Sequence, residues 1–134
     1  MDPLVDLFTM LRLQFAAALI LSTLVHERRP LSLKELAEAT GYTKSHLSST
    51  LRLLEEKHLI KRIRVRGRKY LFQARAEGLI ALIYGHLSKI HEYLRFMTDE
   101  LKDGDILRAM RMLESELRSL LTKLEEYEGL MVSR

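Results

Sequence analysis

Apolar residues crowd the first part of the chain. Leu7, Phe8, Met10, Leu11, Leu13 and Phe15 lead into the run at 16–21. The pattern is apolar on most sides, which predicts one long helix over 4–27 buried on more than one face. Asp2 and Pro3 suit its N-cap and first turn, and Arg28, Arg29 and Pro30 end it. A small domain covers one such face by itself; the surplus asks for a partner subunit.

The pattern then shortens. Ser32 and Glu35 have the spacing of a capping box, opening a helix with Leu33, Leu36 and Ala37 on one face and a stop at Gly41. Thr43 caps the next, over 44–57, with Leu47, Leu51 and Leu54 in one stripe. Two short helices around a tight Gly-containing turn predict a helix-turn-helix. At 60–65 the period changes to two, with Ile63 and Val65 alternating with Arg62 and Arg64, and 69–73 supplies a return strand after Arg66-Gly67. A helix-turn-helix followed directly by a basic hairpin is the winged variety.

Beyond residue 76 two seams recur at spacings of three and four. The first is Ile80, Ile83, Leu87, Ile90, Leu94, Met97 and Leu101. The second is Ile106, Met110, Leu113, Leu117, Leu120, Leu124, Tyr127 and Met131. They lie in different registers, and residues 102–105 break the helix between them, with Asp105 as the next N-cap. The predicted fold is mainly α with a small β-hairpin. It divides into an N-terminal helix (1–29), a winged helix-turn-helix (30–75) and a C-terminal coiled-coil-like region (76–134). The N-terminal and C-terminal helices are expected to build a dimer through Leu7, Phe8, Leu11, Met110, Leu113, Leu117, Leu120 and Leu124. Pairing of the two C-terminal helices within one chain is the alternative.

Charge sharpens this picture. The net charge of +4 is modest, but residues 43–75 carry ten cations against Glu55 and Glu56, while the segments on either side are net acidic. Positive charge concentrated in one quarter of the chain is the footprint of a phosphate-binding surface. There is no Cys, which excludes disulfides and thiol catalysis. The most apolar run, 15–25, is about half the length of a membrane span, and Asp2 and Asp6 stand where a signal peptide needs cations. These features predict no membrane association and a cytoplasmic, nucleoid-associated protein. Asn is absent and Gln occurs only at 14 and 73, a depletion that fits a thermophilic source.

In a winged helix the second helix of the motif enters the major groove by its N-terminal end. That geometry presents Thr43, Lys44, Ser45, His46, Ser48, Ser49 and Arg52 to double-stranded DNA. Arg52 suits a forked contact to guanine or a phosphate. The wing adds Arg62, Arg64, Arg66, Arg68 and Lys69, with Arg66 and Arg68 flanking its tip for backbone or minor-groove contact. A solvated helix face and a protected sheet edge also favour such residues. Edge protection usually mixes in Glu, however, and the hairpin over 61–69 has no acid. The five histidines lack metal-ligand spacing: His86 and His91 are five apart and point to different helix faces. No catalytic constellation appears, so no enzyme activity and no cofactor are expected.

The run L-K-E-L-A-E-A-T-G-Y-T-K-S-H-L-S-S-T-L-R-L-L-E-E-K-H-L-I-K-R, followed by R-V-R-G-R-K-Y, resembles the winged helix of the MarR superfamily. Within it the chain looks most like the GbsR-type branch and the small archaeal winged-helix regulators. The resemblance spans 33–78. It implies a homodimeric, sequence-specific transcriptional regulator with a recognition helix at 44–57 and a wing at 60–73. Two departures stand out: His58 occupies a place where the family often has Gly, and the hairpin is shorter than many. His58 is therefore expected in a left-handed conformation. Relatives of this kind often take a small effector between the dimer helices and the DNA-binding lobe. Tyr84, His86, Tyr93 and Phe96 suit such a space, though core packing explains them equally well. A chromatin-like architectural protein and a protein-interaction module share the same electrostatic features and stay open.

Overall fold

The computed structural model describes residues 2–67 and 69–132, with side chains described through residue 127. Its elements are α1 (Pro3–Met10), α2 (Phe15–Glu27), β1 (Leu31–Ser32), α3 (Leu33–Thr40), α4 (Lys44–Glu56), β2 (Ile60–Arg66), β3 (Lys69–Ala74), α5 (Ala76–Glu100) and α6 (Asp105–Val132). They fall into two compact units, Met1–Leu79 and Ile80–Arg134.

The single N-terminal helix expected from the sequence is two. Arg12 sits at φ 71 and breaks it. The Leu13 N–H donates to the Phe8 carbonyl and the Arg12 N–H to the Thr9 carbonyl, both at 3.0 Å. This is a Schellman closure with Arg where Gly is usual, sealed by the apolar residues Phe8 and Leu13 at its two ends. The break lets α1 fold back along α2. The Asp2 side chain, which caps α1 through the Leu4 N–H at 2.9 Å, also accepts from the buried Ser22 hydroxyl at 2.6 Å. Phe8 and Leu11 are consequently core residues, 3% and 8% exposed within the chain itself. Folding back buries Val5, Phe8, Leu11 and Leu13, part of the apolar surplus that a straight rod leaves open, while Met10 and Phe15 stay exposed.

The helix-turn-helix forms as its caps dictate. Ser32 and Glu35 make the full capping box, Gly41 ends α3 at φ 78, and the Thr43 hydroxyl accepts from the His46 N–H at 3.2 Å. Leu36, Leu47, Leu51 and Leu54 are buried together with Ile20 and Leu21 in the core where α3 and α4 meet α2. The sheet has three strands in the order β1–β3–β2. β1, which alternation does not reveal at two residues, pairs Leu31 with Phe72 and Ser32 with Leu71. A bulge interrupts the β2–β3 register between Arg64 and Arg66.

His58 is left-handed, at φ 59, as its position after α4 leads one to expect. The Leu59 N–H donates to the Leu54 carbonyl and the His58 N–H to the Glu55 carbonyl, both at 3.0 Å, a second Schellman closure without glycine. The chain passes from α4 into β2 in that one step. Gly78 of α5 then lies against the turn: a Cβ there falls 2.0 Å from the His58 carbonyl oxygen.

In the second unit α5 and α6 pair within the chain. His91 meets Glu114 at 3.1 Å, both about 15% exposed, and Tyr84 donates to Glu125. The α6 stripe turned toward α5 is therefore the one through Leu107, Glu114 and Leu121, one position on from the expected seam. Leu107 and Leu121 are buried; Ile106, Leu113, Leu120 and Tyr127 are exposed. Met110, Leu117 and Leu124 lie between the two stripes and are half-buried. The Met131 side chain lies outside the described residues. Gly104, not Asp105, takes the N-cap place, its carbonyl accepting from the Arg108 N–H at 3.2 Å. Asp105 still serves the helix dipole from the first turn.

Two substitutions at the α4–β2 joint should move stability in opposite directions. His58→Gly should raise it by up to about 1 kcal/mol by relieving the left-handed strain. Gly78→Ala should lower it by about 3 kcal/mol, because the atom it meets is backbone and cannot step aside. Denaturant melts of the two variants check both signs.

Candidate nucleic-acid interface

The exposed side of α4 carries every recognition-helix candidate. Thr43, Lys44, Ser45, His46, Ser48, Ser49 and Arg52 are on the solvent side, while the opposite stripe is in the core. They are not equally available. Thr43 uses its hydroxyl oxygen as the cap, Ser49 donates to the His46 carbonyl at 3.0 Å, and the His46 ring packs on Tyr42 with centroids 4.7 Å apart. Lys44, Ser45, Ser48 and Arg52 have no side-chain partner among the described residues.

The hairpin cations divide in the same way. Arg62 donates to Glu55 at 2.8 Å and lies over the Tyr70 and Phe72 rings, 4.9 and 5.5 Å from their centroids. It fastens the wing to α4 and uses one of the only two acids in the basic segment. Arg64 donates from Nε to the Gly67 carbonyl at 2.8 Å and braces the hairpin turn. Arg66 and Lys69 pair in register next to the bulge and make no ion pair among the described residues. Arg68 lies outside the described residues.

Between the helix and the hairpin is a cleft of 490 Å³. Ser32, Leu33 and Lys34 of β1 and α3 line it, with Ser48, Leu51 and Arg52 of α4 and with Arg62, Lys69, Tyr70 and Phe72 of the wing. Four of these are cations and none is an acid. Lys34, Ser32 and the two aromatic residues were not among the sequence candidates. Lys34 does leave a signal: a cation in the first turn of a helix opposes the dipole, a placement an incoming anion would relieve.

The rim of this cleft is fixed by Glu35. The Arg29 guanidinium at 2.7 Å and the Ser32 N–H at 3.0 Å hold its carboxyl down to about 2 from an ordinary 4.5. Neither contact is to a cation that lines the cleft.

Helix-turn-helix, hairpin and third strand together define a winged helix. Residues 13–69, which carry β1, the helix-turn-helix and the first strand of the hairpin, match the MarR family model. A solved structure described only as a transcriptional regulator superposes with a TM-score of 0.56 at 20% identity, covering 98% of this chain and 94% of that one. It establishes the likeness of fold. The Staphylococcus aureus MepR–DNA complex follows at a TM-score of 0.49 and 23% identity, covering 86% and 85%. The zinc-responsive MarR family member ZitR of Lactococcus lactis reaches 0.40 at 21%, covering 78% and 70%. No curated protein matches the sequence. Among the described residues no three His, Asp or Glu side chains are grouped to hold a metal, and no helix is long and apolar enough to cross a membrane.

Two outcomes are expected. Because the folded carboxyl of Glu35 titrates below the unfolded one, its contribution is present above pH 4.5 and lost as pH falls toward 2. The urea midpoint of Glu35→Gln should therefore fall less steeply than the parent's across that window. Arg62→Ala should cost about 1 kcal/mol and quicken hydrogen exchange in β2 and β3 while leaving α2 unchanged.

Proposed function

We propose that this chain is a DNA-binding transcriptional regulator of the MarR family that acts as a homodimer and not as an enzyme. The observation that carries the reading is the convergence of the exposed α4 face and the hairpin on one cleft lined by four cations and no acid. Phosphate oxygens are the ligand that such a concentration of positive charge favours. The match over 13–69 to the MarR family model supports the same reading. The run over 33–73 resembles the GbsR-type branch in particular.

α4 enters the major groove by its N-terminal end, with Lys44, Ser45 and Ser48 at base edges or phosphates and Arg52 on guanine or the backbone. Arg66 and Lys69 take the backbone beside it or the adjoining minor groove, while Arg62 and Arg64 hold the wing in shape. In a two-fold dimer the two recognition helices read half-sites about 34 Å apart, one DNA turn, so the operator is roughly palindromic. A protein of this kind works in the cytoplasm on the nucleoid.

Titration at about 0.15 M salt against the gene's own upstream region and against random duplex tests the regulator reading. Affinity at least about a thousandfold tighter for the upstream region is the expected result. Equally tight binding to both would favour an architectural protein, and binding to neither duplex would favour a protein-interaction module. Arg52→Ala should cost about 1–3 kcal/mol at the specific site and relax its sequence preference. Arg66→Ala should weaken both duplexes alike and reduce the salt slope by about one for each phosphate that Arg66 neutralises.

A further inference from the structure

One side chain on the exposed face of α4 is held by a contact from outside the helix. The His46 ring packs on Tyr42, which lies between Gly41 and the Thr43 cap, with ring centroids 4.7 Å apart and planes tilted by 56°. The backbone beneath it is fixed as well. The His46 N–H donates to the Thr43 hydroxyl at 3.2 Å, and the His46 carbonyl accepts from the Ser49 and Thr50 hydroxyls, each at 3.0 Å. Tyr42 is anchored in turn, its N–H donating to the Thr40 hydroxyl at 3.3 Å. Core packing does not account for the pair, because His46 is exposed and Tyr42 only half-buried. The two His46 ring nitrogens have no hydrogen-bond partner among the described residues.

The other free side chains of this face differ from it. Lys44 and Arg52 swing on long stems, and Ser45 and Ser48 are short. Base edges in the major groove are read by donors and acceptors at set positions, and a ring oriented before it arrives there forfeits little rotamer entropy. His46 is the third residue of α4, in the turn that enters the groove first. An imidazole always carries at least one N–H donor. Guanine shows two acceptors, N7 and O6, on its major-groove edge. Adenine sets a donor beside its acceptor, cytosine shows a donor, and thymine sets a methyl group beside its acceptor. Guanine therefore suits the ring N–H whichever nitrogen carries the proton.

We propose that His46 reads a guanine in each half-site and that Tyr42 is the residue that positions it. The proposal rests on the DNA-reading face of α4 proposed above. It adds the base that is read and a positioning residue that lies outside that face.

Selection from a pool of randomised duplexes tests it, followed by affinities for the chosen sequence and its single-base variants. The parent should choose half-sites with a guanine whose replacement by adenine weakens binding roughly tenfold. His46→Ala should cut that penalty to about twofold or less and keep the preferences at the other positions. His46→Asn should move the preferred base at the same position to adenine. Tyr42→Ala should lower the penalty to about threefold, whereas Tyr42→Phe, which keeps the ring, should retain it. A tenfold penalty that persists at every guanine in His46→Ala would overturn the assignment of His46 and leave the regulator reading standing. The parent's full profile in Tyr42→Ala would overturn the positioning role, as would preferences lost alike at all positions. A parent that selects no sequence would overturn the regulator reading and this proposal together.

Discussion

Residue 58 has to leave α4 and enter the wing in a single step, and the hairpin and the start of α5 are arranged around how it does so. Its left-handed backbone directs the Leu59 and His58 N–H groups onto the last carbonyls of α4. Leu59, 1% exposed, is thereby driven into the core beside Leu54. The Leu59 carbonyl accepts from the Arg75 N–H at 2.9 Å, so the strand that leaves the joint and the strand that returns to it are tied at one residue. Gly78 then rests on the His58 carbonyl because it has no Cβ. Helix, hairpin and the start of α5 are therefore positioned by one turn of backbone. The placement of the wing beside α4 follows from it.

Electrostatics builds on that frame by sorting the cations. Ten in the basic segment would repel one another if none had a partner, and the structure commits some of them to contacts within the fold. Arg62 is held between Glu55 and two aromatic rings, and Arg64 is used on the hairpin turn. Among the described residues, Lys44, Arg52, Arg66 and Lys69 are left without partners; Arg52 and Lys69 line the cleft, and Lys34 joins them there from α3. A cation-lined surface that keeps its shape before any ligand arrives forfeits little ordering entropy on binding.

The winged helix was legible because its boundaries are written locally. Ser32 and Glu35, Gly41 and Thr43, and the change of period after Leu59 each act within four residues, and the structure realises them. The break at Arg12 was not legible, since the residue there is one that seldom takes φ above zero; only the excess of apolar faces in residues 4–27 hinted that a straight helix would not do. β1 is too short to show alternation and exists because Phe72 and Leu71 lie beside it. The shift of the α6 seam from Leu113 and Leu120 to Leu107 and Leu121 was hidden by apolar residues in both stripes, and the polar contacts of Glu114 and Glu125 with α5 decide between them. In the site, the exposed face of α4 was readable from periodicity. The fastening role of Arg62 was not, because it depends on Glu55, Tyr70 and Phe72 meeting in space.

The most direct measurement of which surface meets DNA is hydrogen exchange of the protein alone and bound to a mixed-sequence duplex at low salt, where binding requires no operator. New protection confined to residues 43–52 and 60–69, with α1 and α6 unchanged, is the expected result. Protection centred elsewhere on the chain, or no change under conditions where the duplex is bound, would contradict the assignment of α4 and the wing to the nucleic acid.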